Sequence, residues 1–223
     1  MYFVCQATGA TRTFFLGLVV LCFAMTHTQA QPVRVGKQIK MYEDRKAMTG
    51  GLSLIESGND DHAVGDRRSP DGPALGRFQI HQSAWMDIDI IRKANAMTIH
   101  PYHKAYDANV SEDYAYTLLM AIRATFIKHH SHSPSPIILY SCYSLGPSII
   151  PRIKTMRYLE LNPIPDDEPM WCPQFDKPYS FLTSIGIPYR TAVRKVETGS
   201  RYSALIAAHK LQMATTGVPL LYK

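Results

Sequence analysis

One run of residues constrains this chain more than any other. Within 111–128, Tyr114, Leu118, Ile122 and Phe126 recur every four residues, and Ala115 and Leu119 widen the stripe. That period lets a helix lay one apolar face on a core. Asn109, with Glu112 three residues later, has the spacing of an N-terminal capping pair and predicts where the helix starts. Asn109-Val110-Ser111 also matches a glycosylation sequon, but a cap explains the helical stripe that begins there. A second helix is expected over 148–160, with Ile149, Ile153 and Met156 on one face and Pro151 in its first turn. Asn162-Pro163 ends it. Upstream, 38–56 carries Ile39, Met48, Leu52 and Ile55 in a helical pattern. Gly50-Gly51 interrupts it, and each Gly costs up to ~1 kcal/mol in a helix interior. Two helices, or one with a break, are expected there. Residues 189–197 and 201–215 predict two more helices, the second presenting Leu205, Ala208 and Leu211. Strand signal is slight, so the fold class reads as mainly α.

The N-terminus defines the compartment. The first thirty residues hold no Asp or Glu, and Arg12 is their only Lys or Arg. An apolar run, Phe14 to Met25, precedes Thr28-Gln29-Ala30. The run is shorter than the ~20 apolar residues a bilayer span needs. It predicts a secretory signal peptide over 1–30, cut after Ala30, and an exported, periplasmic or extracellular product. A membrane association arises only if the signal stays uncleaved. Residues 31–37 read as an extended lead-in, 38–162 as the main domain, and 163–223 as a Pro-rich connector with a C-terminal helical extension. Cys5 and Cys22 leave with the signal, so Cys142 and Cys172 remain. In an oxidising compartment this pair predicts a disulfide closing a loop of about 30 residues, worth roughly 3 kcal/mol. Two free buried thiols are the alternative.

The formal net charge of +6 favours anionic partners, with 24 basic against 18 acidic residues in the whole chain. The basic residues are scattered rather than interleaved with aromatics, which argues against a nucleic-acid groove. His129, His130 and His132 lie in a Ser/Pro-rich stretch without an acidic or Cys companion, and read as a solvated loop rather than a metal site. Residues 57–73 are rich in turn-formers and read as a loop. No phosphate-cradling glycine loop is present and no cofactor is implied.

Glu56 is the candidate catalytic group. It closes an apolar segment, Leu52-Ser53-Leu54-Ile55, and opens into the Ser57-Gly58-Asn59 turn. A carboxyl at the apolar end of a helix is held protonated toward neutral pH, as cleavage of a glycosidic bond by acid catalysis requires.

Three segments in order carry a family resemblance. They are Ile55-Glu56-Ser57-Gly58-Asn59 with Ala63-Val64-Gly65-Asp66, then Ala74-Leu75-Gly76-Arg77-Phe78-Gln79-Ile80 with Trp85-Met86-Asp87, then Ser141-Cys142-Tyr143-Ser144-Leu145-Gly146-Pro147. Together they resemble the lysozyme-like superfamily of soluble lytic transglycosylases and goose-type lysozymes, over about half the chain. The resemblance implies a lysozyme-like helical domain with a two-lobed sugar-binding cleft. It implies Glu56 as general acid and then base. Ser57, Asn59, Gly76, Phe78, Gln79, Ile80, Tyr143 and Ser144 would contact substrate. The implied partner is peptidoglycan or a related N-acetylated glycan. Ser144 stands where the family carries Asn, and Arg77 where Pro, Leu or Ser is commoner.

A hydrolase of retaining or inverting type wants a second carboxylate about 5–9.5 Å from the first. Asp66, Asp71 and Asp87 are the candidates, with Asp60-Asp61 near in sequence. A lytic transglycosylase needs none, because the substrate supplies the nucleophile. The expected reaction is muramidase cleavage of the β-1,4 bond between N-acetylmuramic acid and N-acetylglucosamine. The alternative is a secreted glycan-binding module that keeps the fold without turnover.

Overall fold

The computed structural model of the protein describes residues 31–130, 132–146 and 177–218, with side chains from residue 44 onward. Two compact units divide the chain, Met1–Tyr42 and Glu43–Lys223. Of the first, the helical backbone of residues 31–42 is described, so the expected lead-in over 31–37 is helical rather than extended. The expected signal segment, the helix over 148–160 and Cys172 lie outside the described residues. Among the described residues, no helix is long and apolar enough to cross a membrane.

Helix α1, Gln31–Ser57, runs unbroken through Gly50-Gly51. The cost of glycine in a helix is offset here by packing. A Cβ on Gly51 would lie 3.2 Å from the Cβ of Leu205 and 3.5 Å from the Tyr202 ring. The bare backbone therefore lets a C-terminal helix sit directly against α1. Tyr202 then donates its hydroxyl to the Met48 carbonyl at 3.0 Å. Met48 and Leu52 are buried beside it.

After α1 the chain reverses through Gly58 and Asn59, at φ 67° and 68°. Their N–H groups donate to Leu54 O and Ser53 O, satisfying carbonyls at the helix end. A small antiparallel sheet comes next: β1 Val64–Gly65, β2 Ala74–Leu75 and β3 Ile80–His81, in the order β1-β2-β3. Val64 faces Leu75, and Ala74 faces His81. The stretch read as a plain loop thus holds one of three strands, too short for periodicity to reveal.

Helix α2, Gln82–Ala94, a 3-10 turn at Tyr102–Tyr106 and helix α3, Ala108–His130, complete the first half. The stripe expected on α3 is the core: Tyr114, Ala115, Leu118, Leu119, Ile122 and Phe126 are all buried. Trp85 of α2 stacks on Tyr114 at 3.6 Å between centroids and donates its indole N–H to His100 O. Buried Arg92 reaches Asp113 at 2.6 Å and Thr117 at 3.0 Å, so its charge is paired inside the α2–α3 contact.

The capping pair expected at Asn109 and Glu112 is not the one used. Asp107, extended in backbone, accepts the N–H groups of Asn109 and Val110. Glu112 is drawn instead to Lys46 at 2.6 Å and Arg45 at 3.2 Å on α1. Two cations outweigh one orphan N–H.

Helix α4, Pro136–Leu145, starts at Ser135, whose hydroxyl accepts from Ile138 N–H, with Pro136 at its first position. Helix α5, Pro178–Ser184, leads to α6, Tyr189–Thr216. Helix α6 is continuous where two helices were expected, and its buried face is Ala192, Val196, Gly199, Tyr202, Ile206 and His209. Leu211, assigned to the inner face from sequence, is 67% exposed. The true face is set by small residues that admit α4: a Cβ on Gly199 would stand 2.9 Å from the Ile137 carbonyl oxygen. Cys142 is buried and unpaired among the described residues.

The Gly199 contact can be tested by substitution. In an exposed helix Gly199→Ala would gain about 1 kcal/mol of helix propensity. Here the methyl meets rigid backbone, and overpacking costs about 1–3 kcal/mol. The variant is expected to lower the urea midpoint; a rise would show that α6 and α4 separate freely.

Candidate active site

Glu56 lies in the last turn of α1, one residue before the helix ends. Its Oε1 is buried and has no hydrogen-bond partner among the described residues. The helix end is held by its neighbours. Ser57 donates its hydroxyl to Arg77 O at 2.9 Å and accepts from Asp60 N–H. Ser53 donates to the Asn59 side-chain oxygen at 2.6 Å. The Ser57–Arg77 bond ties the carboxyl-bearing turn to the β2–β3 connection, and the others close the turn on itself.

Two further helices approach the carboxyl. From α4, the Tyr140 hydroxyl shares hydrogen bonds with Glu56 and Ser144. One turn on, Tyr143 is buried and donates its hydroxyl to Phe78 O at 2.7 Å, fastening α4 to the β2–β3 connection. From α6, Lys195 reaches the Ser144 carbonyl at 3.4 Å and is electrostatically coupled to Glu56.

Burial pushes the Glu56 carboxyl above its ordinary value. The Lys195 cation and the Tyr140 hydrogen bond pull it back, and burial wins. Lys195 moves the other way: burial lowers its ammonium, Glu56 opposes this, and Arg194 adds to it. Burial and the neighbouring carboxyl raise the Tyr140 phenol, which stays a neutral donor. The arrangement is a carboxyl shifted toward its protonated form beside a cation, with Oε1 left for an incoming group.

The other residues singled out from sequence are distributed unevenly. Phe78 and Ile80 are buried in the core by their side chains. Gly76 takes φ +68°, and a Cβ there would lie 1.9 Å from Ala105 O, so only glycine fits. Gln79, at φ 48°, donates its amide to Gly76 O at 2.8 Å and rests its amide oxygen on Gly65. Ser57, Asn59 and Tyr143 are likewise engaged in internal hydrogen bonds. Ser144 stands at the site through Tyr140. Arg77 pairs with Asp61, with a second contact at 2.7 Å.

Asp66 is exposed after β1, 3.9 Å from His81; Asp71 is exposed in the following turn; Asp87 lies on α2. The charge acting on Glu56 is that of Lys195. Among the described residues, no group of three or more His, Cys, Asp or Glu side chains is placed to hold a metal ion. His129 and His130 belong to the last turn of α3, not a loop, and His130 packs on Phe126 and Phe181. A cavity of about 490 Å3, lined by Met48, Arg123, Pro134, Ile137, Ile206 and Lys210 among others, contains none of the Glu56 set.

Sequence reasoning missed Tyr140 and Lys195. Tyr140 was within reach, since Ser135-Pro136 is a helix-start signal and residues three apart share a helix face. Lys195 had no local signal, because it meets Glu56 only through packing. No protein-family model, curated protein or solved structure matches this chain.

The raised carboxyl has a consequence for stability. The folded chain binds the Glu56 proton more tightly than the unfolded chain does. The resulting stabilisation is complete below the ordinary value of 4.5 and is lost as pH rises through the folded value. Glu56→Gln removes that loss. Its stability relative to wild type should therefore increase as the pH is raised above 4.5 in urea titrations. A difference independent of pH would show that the carboxyl is not perturbed.

Proposed function

We propose that this chain is an exported, lysozyme-like glycan-cleaving enzyme with Glu56 as its single catalytic carboxyl. The observation that carries the reading is the Glu56 carboxyl itself: on a half-buried residue, shifted toward the protonated form, and with Oε1 buried and unpartnered. Acid-catalysed glycoside cleavage uses such a group. Glu56 gives its proton to the glycosidic oxygen as the bond from that oxygen to the anomeric carbon breaks. The substrate's N-acetyl oxygen attacks that carbon to form an oxazolinium. The 6-hydroxyl, or a water, then attacks the same carbon and breaks its bond to the N-acetyl oxygen, while the Glu56 carboxylate beside Lys195 takes the attacker's proton. A neighbouring cation rather than a second carboxylate favours this single-acid scheme. The substrate is the β-1,4 N-acetylmuramic acid–N-acetylglucosamine polymer of peptidoglycan.

One observation favours a second reading, a glycan-binding module without turnover. Ser57, Asn59, Gln79 and Tyr143, all expected to touch sugar, spend polar atoms on internal bonds.

Digestion of purified peptidoglycan, with mass spectrometry of the released muropeptides, separates the two. Wild type should release fragments, and Glu56→Gln should lose at least about 100-fold in rate. The wild-type rate should fall on the alkaline side as Glu56 deprotonates. Binding without release by the wild type would replace the enzyme with the binding module. Equal release by both proteins would remove Glu56 from the chemistry.

A further inference from the structure

Helix α6 carries Arg190, Arg194 and Lys195 within about one and a half turns. Arg190 and Arg194 are four apart, a like-charge spacing that weakens a helix. Arg194 and Lys195 have no carboxylate within ion-pair distance among the described residues. Lys195 is half-buried, and its one hydrogen bond there is the long one, 3.4 Å, to Ser144 O. Two of its three N–H groups are left to point elsewhere. Arg194 is exposed, and its charge is felt at Tyr140 and Lys195.

An unpaired, half-buried ammonium is costly unless an anion meets it. Glu56 is the anion at hand, but a protonated Glu56 cannot serve. In the state that cleaves a glycan, Lys195 therefore faces a neutral acid whose Oε1 is also unpartnered.

We propose that Lys195 and Arg194 form an anion subsite beside Glu56, which takes the free lactyl carboxylate of an N-acetylmuramic acid that carries no stem peptide, next to the cleaved bond. The proposal rests on the glycan-cleaving reading and deepens it. It makes the preferred substrate a peptide-free, acidic stretch of the glycan and disfavours peptide-substituted and neutral chitin-like ones. Lys195 donates directly to the carboxylate, and Arg194 lies at the solvent side, where a charged group arrives. The bound carboxylate replaces the counter-charge that Glu56 gives up on protonation. Sugar-to-Glu56 positioning then depends on a residue of the C-terminal helix.

The test uses the full mature chain in the Glu56→Gln background, so that binding is read without turnover. Three probes are titrated: a tetrasaccharide of alternating N-acetylglucosamine and N-acetylmuramic acid with free lactyl carboxylates, its methyl ester, and chitotetraose. The free acid should bind about tenfold more tightly than the ester or chitotetraose, the scale of one charge-assisted contact. Adding Lys195→Met should bring the acid-to-ester ratio close to one, whereas Lys195→Arg should keep most of the preference. Retention by the Arg variant separates a charge role from a packing role. Equal binding of acid and ester by the Glu56→Gln chain overturns the subsite while leaving the glycan reading intact. Failure of all three sugars to bind overturns both.

Discussion

Helix α6 touches its neighbours through glycines, and the candidate site depends on that closeness. Gly51 on α1 admits Leu205 and Tyr202, while Gly199 on α6 admits the Ile137 backbone of α4. Neither position has room for a side chain without displacing another helix. At these distances Tyr202 reaches Met48 O, and the turn carrying Lys195 comes within reach of Ser144 O. Burial is the largest cause of the raised Glu56 carboxyl. The glycines set how closely α6 approaches α1 and α4.

The rest of the scaffold holds that end of α1 still. Tyr143 is fastened to Phe78 O, Ser57 to Arg77 O, and Ser53 to Asn59. Each bond joins the helix end or α4 to a short segment of irregular backbone. Gly76 and Gln79 take positive φ there, and Gly76 is pressed against Ala105 O. Residues expected to meet a sugar thus act as struts around Glu56. Farther away, Trp85 on Tyr114 and Arg92 with Asp113 and Thr117 lock α2 to α3. Arg45 and Lys46 bind Glu112 and so fix α1 against α3.

Such a scaffold suits the glycan cleavage proposed above, which asks little of the protein beyond a proton donor and a fixed substrate. A carboxyl that stays protonated needs a dry environment, and a nearby cation keeps its conjugate base from becoming too strong. Tyr140 adds a neutral donor that can follow the carboxyl through both charge states. The cation has a second use when the acid is neutral, since it can then hold an anion from the substrate. In the proposed reaction, one residue would therefore serve catalysis and selectivity in turn.

Local pattern was enough for the elements that repeat. The α3 stripe from Tyr114 to Phe126 was legible because burial on one face forces a four-residue period. Glu56 was legible because an apolar run ended on a carboxyl and then on a turn. The cap of α3, the continuity of α1 and α6, and the inner face of α6 were not. Asp107 takes the cap because Glu112 is called away by two cations from another helix. Glycine is tolerated at 51 and 199 because of the groups packed opposite, which no propensity contains. The three strands are two residues each, shorter than the period that would announce them. Composition and order thus determined a mainly helical chain with an acid at a helix end. Tertiary packing alone decided that Tyr140 and Lys195 stand beside that acid, because contacts between residues far apart in the chain leave no local trace.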